Sequence, residues 1–135
     1  YSASHSDVLA PTLYQRHLRN RVSYNQVFDS EPAGNDGDKW LGTHTSATYY
    51  TYDIHGNVDT LLQDYNTGIM KSTGNRFKKM VYDYDLISGK VNRVSYQPGA
   101  SDAFYHKYAY DAENRLIDVE TSTDQFVWEK DARYF

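Results

Sequence analysis

Three aspartates mark the places where carboxylate chemistry could be sought: Asp53, Asp85 and Asp111. Each ends a Tyr-x-Tyr-Asp tetrapeptide, with tyrosines at 50 and 52, 82 and 84, 108 and 110. A general acid or base is needed once per site. A carboxylate that recurs with the same neighbours suits a task that recurs, and closing a turn is such a task. The five histidines, His5, His17, His44, His55 and His106, form no pair at metal-ligand spacing and read as solvated or turn residues. Asn35-Asp36-Gly37-Asp38 resembles a calcium loop in composition but lacks the closing Glu and the ligand register, so it reads as a plain solvent loop. Arg16, His17, Arg19 and Arg21 could meet phosphate. The chain as a whole, however, carries a net charge of −4, which gives no electrostatic reason to expect nucleic acid. There is no cysteine, hence no disulfide and no thiolate metal site. No Ser/His/Asp or Cys/His grouping assembles from local motifs. The expectation is a non-catalytic chain, with no catalytic residue, no metal site and no cofactor.

The elements that carry these aspartates follow from their neighbours. Tyr50 and Tyr52 are two apart and share one face of an extended chain. Asp53 opens Asp53-Ile54-His55-Gly56, where its carboxylate accepts backbone amides and Gly56 supplies a positive φ. The third copy, Asp111-Ala112-Glu113-Asn114, places Asn in the same left-handed position. The second, Asp85-Leu86-Ile87-Ser88-Gly89, has one residue more and needs a longer loop. On each return strand the apolar pair is three apart, not two: Val58 and Leu61, Val91 and Val94, Leu116 and Val119. The same slip three times predicts a β-bulge just past each turn. Three antiparallel hairpins are therefore expected, centred on 53–56, 85–89 and 111–114, with the six tyrosines in neighbouring cross-strand rows.

The remaining segments supply connections. Leu18, Val22, Tyr24 and Phe28 share one parity and predict a strand with one buried face. Residues 30–42 are rich in Gly, Asp and Pro and predict a mobile loop. Turns are expected at Asn66-Thr67-Gly68 and Ser72-Thr73-Gly74-Asn75, and a type II turn at Gln97-Pro98-Gly99-Ala100. The gap from Asp53 to Asp85 exceeds that from Asp85 to Asp111, so the first linker holds the slack. A further strand is expected at Phe126-Val127-Trp128, and the start of another at Ala132-Arg133-Tyr134-Phe135. Residues 1–13 show no pattern, and a start at Tyr1 suggests an excerpt of a longer chain. No stretch approaches the roughly 20 apolar residues that span a bilayer. The domain reading is an irregular segment at 1–17, a strand and loop at 18–47, and repeat hairpins at 48–135.

The pattern Y-x-Y-D-x-x-G-x-(V/L)-x-x-(V/L), in register three times from Thr48 to Thr121, resembles the YD repeat of the RHS family. That family includes bacterial polymorphic toxins and the related teneurins. Tyr52-Asp53-Ile54-His55-Gly56-Asn57-Val58 and Tyr108 to Leu116 lie closest to its wording. The resemblance implies an all-β strip of consecutive antiparallel β-hairpins, a segment of a spiralling β-sheet shell that encloses a C-terminal toxin. It implies a secreted or cell-surface bacterial location. It implies as partners the rest of the parent chain, or another copy, through sheet edges, and an enclosed toxin domain. The repeat residues Tyr50, Tyr52, Asp53, Gly56, Tyr82, Tyr84, Asp85, Gly89, Tyr108, Tyr110, Asp111 and Asn114 then serve structure. The alternative is a carbohydrate-binding or adhesion module, with glycan contacts at Trp40 and Trp128. An enzyme ranks third, because the family's self-cleaving Asp-Pro-x-Gly-Leu signature is absent.

Overall fold

The computed structural model describes residues 17–29 and 44–135. His5, Arg16, Trp40, the Asn35–Asp38 segment, and the expectations for residues 1–13 and for the loop at 30–42 lie outside the described residues. The protein is nearly all-β. Its strands are β1 (Tyr24–Val27), β2 (Ser46–Tyr52), β3 (Val58–Tyr65), β4 (Phe77–Tyr84), β5 (Val91–Tyr96), β6 (Phe104–Tyr110), β7 (Leu116–Ser122) and β8 (Glu129–Arg133). Among the described residues one short helix, α1 (Gly68–Ser72), occupies the first linker and takes up its slack. The chain divides into two compact units, Tyr1–Lys78 and Lys79–Phe135. Within each, strands pair antiparallel with their neighbours in chain order.

All three expected hairpins are present, and so are their bulges. Thr51 pairs with Thr60 but Tyr52 with Val58, leaving Asp59 over. Asp83 pairs with Arg93 but Tyr84 with Val91, leaving Asn92 over. Ala109 pairs with Asp118 but Tyr110 with Leu116, leaving Ile117 over. The extra residue rotates the return strand by one place, which brings both members of each apolar pair to the tyrosine face. Tyr50 thus faces Leu61, Tyr82 faces Val94 and Tyr108 faces Val119. The direct cross-strand partner of every motif tyrosine is aliphatic rather than another tyrosine.

The deepest packing lies on the opposite parity from these tyrosines. In the first unit Ala47, Tyr49 and Leu62 form the buried cluster, with Tyr24 and Phe77 against it. The Tyr24 and Tyr49 rings lie 5.8 Å apart, tilted by 32°. In the second unit Tyr105 is buried between Ser95 and Ser122, its partners on either side.

Two strand expectations need correction. The strand expected from Leu18 to Phe28 is shorter, because Arg19 and Asn20 take positive φ and Arg21 N–H closes a turn onto the Leu18 carbonyl. Val22 is accordingly exposed rather than buried. Phe126-Val127-Trp128 is not a strand either. The Asp124 carboxylate accepts the amides of Phe126 and Val127 and holds them in a bend, so pairing with β7 starts at Glu129. The Pro98-Gly99 turn forms as expected, with Ala100 N–H donating to the Gln97 carbonyl and Gly99 at φ 84°.

Candidate functional site

The three motif aspartates are caged by the turns they open. The Asp53 carboxylate accepts the backbone amides of His55 and Asn57, both at 2.9 Å, and the Asn57 side-chain amide at 3.1 Å. Asp85 accepts Ile87 N–H at 2.7 Å and Ser88 N–H at 2.9 Å. Asp111 accepts Glu113 N–H at 3.0 Å and Arg115 N–H at 2.8 Å, and its second oxygen takes Arg115 Nε at 2.8 Å. The residue at the left-handed position is Gly56 at φ 92°, Gly89 at φ 70° and Asn114 at φ 64°.

Amide donors stabilise the ionised form of a carboxylate. At Asp53 burial pushes the carboxyl up, but the donors from Asn57 and His55 outweigh it and hold it below its usual range. The amides of Ser88 and Ile87 lower Asp85, and those of Arg115 and Glu113 lower Asp111. A caged, weakly basic carboxylate closes a turn well and abstracts a proton poorly.

The second tyrosine of the motif makes a contact that spacing alone does not disclose. Tyr52 hydroxyl donates to the Val22 carbonyl at 2.7 Å, and Tyr110 hydroxyl donates to the Val91 carbonyl at 2.8 Å. In each case the residue before the valine is a cation over the same ring. Arg21 lies 5.5 Å from the Tyr52 centroid and Lys90 4.9 Å from that of Tyr110. Each cation also reaches the left-handed residue of the tyrosine's own turn. The Arg21 guanidinium packs where a Cβ on Gly56 would sit, and Lys90 Nζ donates to the Asn114 carbonyl. A cation, a carbonyl, a tyrosine and a left-handed residue thus form a latch between one strand and the hairpin that follows it. Burial raises both phenols, so both hydroxyls are intact donors at neutral pH.

Elsewhere on the motif face, Tyr82 and Tyr84 stack along β4 at 6.3 Å. On β6, Phe104, His106 and Tyr108 form a ladder, with an edge contact at 5.0 Å and a stack at 6.3 Å. His106 is therefore a half-buried strand residue, not a solvated or turn one. His55 and His17 are exposed, as expected.

His44 departs furthest from the sequence reading, because it is buried. Its Nε2 donates to Asp64 at 2.7 Å, and both side chains are fully enclosed. Arg76 completes the set, with Nε and Nη2 donating to the two Asp64 oxygens at 2.7 and 3.0 Å. The hydrogen bond to Asp64 raises Arg76 above its ordinary value. Asn66 side-chain amide ties the His44 carbonyl at 2.6 Å. The other ring nitrogen of His44 lies 3.5 Å from Gln26 Nε2, an amide with no nucleophilic role. An Asp–His pair with an amide in third place, sealed from solvent, serves as a polar lock and lacks the nucleophile of a relay. No spacing rule could have found it, since its members come from four separate segments.

Of the residues expected on the glycan reading, Trp128 is half-buried. Lys107 sits 5.4 Å from its ring, and its indole N–H donates to the Gln125 carbonyl. One ring face is therefore occupied by a cation. Nearby, Phe104, Thr121, Asp124, Val127 and Glu129 line a shallow hollow of about 150 Å³. That is small beside the roughly 300–1,000 Å³ of ordinary ligand clefts. Among the described residues no helix is long and apolar enough to cross a membrane. Comparisons with protein-family models, curated proteins and solved structures find no match.

Proposed function

We propose that this chain is a non-catalytic structural segment of an RHS/YD-repeat protein, a stretch of β-hairpin wall. The carrying observation is the recurrent construction of three hairpins: an aspartate cage, a residue in the left-handed region (Gly56, Gly89, Asn114) and a bulge after the turn. Repetition of a structural device, with its side chains committed to internal hydrogen bonds, is what a wall requires. On this reading the protein is secreted or on a bacterial cell surface. Its partners are further strip through the sheet edges and an enclosed C-terminal toxin domain.

Light scattering across a dilution series tests the reading, since exposed strand edges recruit other strands. Concentration-dependent association through the edges is the expected result. A compact monomer at every concentration, together with a hit on a glycan array that is lost in Trp128→Ala, would replace the wall with the adhesion reading.

A further inference from the structure

The two latches share their parts and their register. Arg21 and Val22 precede β1 and receive Tyr52 and Gly56; Lys90 and Val91 open β5 and receive Tyr110 and Asn114. A third cation and apolar residue stand in the same place at the start of β7: Arg115 and Leu116. The strand beside them repeats the register of the first latch. Tyr50 N–H donates to the carbonyl of Ser23, the residue after Val22, at 2.8 Å. Tyr134 N–H donates to the carbonyl of Ile117, the residue after Leu116, at 2.7 Å. Tyr134 therefore pairs one residue past Leu116, as Tyr50 pairs one residue past Val22. The latch tyrosine of the first hairpin lies two residues beyond Tyr50.

We infer that Arg115 and Leu116 form a third latch seat, shaped to take a tyrosine placed two residues beyond Tyr134 on the line of β8. A phenol placed there is expected to donate to the Leu116 carbonyl, as Tyr52 does to Val22 and Tyr110 to Val91. The Arg115 guanidinium is then expected over that ring, as Arg21 lies over Tyr52 and Lys90 over Tyr110. At present Arg115 rests on Asp111 and Glu113 of its own turn, with a side chain 74% exposed. Those contacts do not bar the role, because Arg21 holds the His17 carbonyl at 2.9 Å while it covers Tyr52. The inference rests on the strip reading and adds to it a seat of the kind found at Val22 and Val91: a cation and a carbonyl on one side, a tyrosine and a left-handed residue on the other.

The test extends the full chain directly after Phe135 with a copy of its own residues 110–122, so that a tyrosine falls two places beyond Tyr134. A matched extension starts with Phe, and both are made with and without Arg115→Gln. Amide exchange is read in the extension and in β8. The tyrosine extension is expected to be protected, and the Phe version to lose about tenfold of that protection, as for one lost hydroxyl hydrogen bond. Arg115→Gln is expected to lower protection in the tyrosine extension while leaving β8 of the unextended chain unchanged. A protected extension indifferent to both substitutions overturns the latch and leaves the strip reading standing. An unprotected extension overturns both. Protection that varies with protein concentration also overturns the latch, because the occupant is then a second copy of the chain.

Discussion

Six tyrosines occupy motif positions, and the contacts divide the four of the first and third hairpins into two kinds. Tyr52 and Tyr110 spend their hydroxyls on backbone carbonyls, whereas Tyr50 and Tyr108 contribute ring surface against Leu61 and Val119. Tyr52→Phe and Tyr110→Phe are each expected to cost about 1 kcal/mol, the net worth of one such hydrogen bond. Tyr50→Phe and Tyr108→Phe should cost clearly less, and chemical denaturation of the four variants checks the split. The turn aspartates give a pH dependence with a defined sign. Their carboxyls are lowered in the folded state, so their stabilisation is complete above the ordinary carboxylate range near pH ~4 and is lost as the pH falls through the lowered values. Thermal melts from pH 7 down to pH 2 should show that loss, and Asp111→Asn should flatten it. The cages were legible in the sequence because Asp, turn and left-handed residue are adjacent. The latches were not, because a hydroxyl that crosses to the preceding strand depends on a register set by pairing rather than spacing.

At the scale of the element, Gly56 and Gly89 look alike in sequence and differ in surroundings. Both sit at positive φ, where a side chain is strained. A Cβ on Gly89 meets open space, while one on Gly56 comes within 2.3 Å of the Arg21 guanidinium. Arginine is flexible at that end and would yield, but only by leaving the Tyr52 ring. Gly56→Ala is therefore expected to destabilise more than Gly89→Ala. The excess should vanish in an Arg21→Ala background, which a double-mutant cycle on melting temperature measures. The bulges were foreseen because one misplaced spacing recurred three times. The Phe126–Trp128 strand was misread because its apolar side chains resemble a strand, whereas its backbone amides are taken by Asp124. Hydrophobic pattern reports what a segment would bury, and a nearby carboxylate decides whether its backbone is free to pair.

For the molecule as a whole, the first unit depends on a charged lock that no local pattern announced. Asp64 is fully enclosed and relies on Arg76 and His44 for its compensation. Arg76→Met strands that carboxylate and should cost about 3 kcal/mol or more, since breaking a buried pair leaves an uncompensated charge. Equilibrium unfolding of the single variant beside Arg76→Lys, which keeps the charge and loses the fork, checks the size and the cause. The pairing order of the second unit has a mechanical consequence. From β5 to β8 each strand is bonded to the next one along the chain. Traction on Phe135 therefore loads the β7–β8 ladder one bond at a time, and no strand has to be sheared past two neighbours at once. The second unit is therefore expected to peel from its end in small steps at low force when Phe135 is pulled in an optical trap.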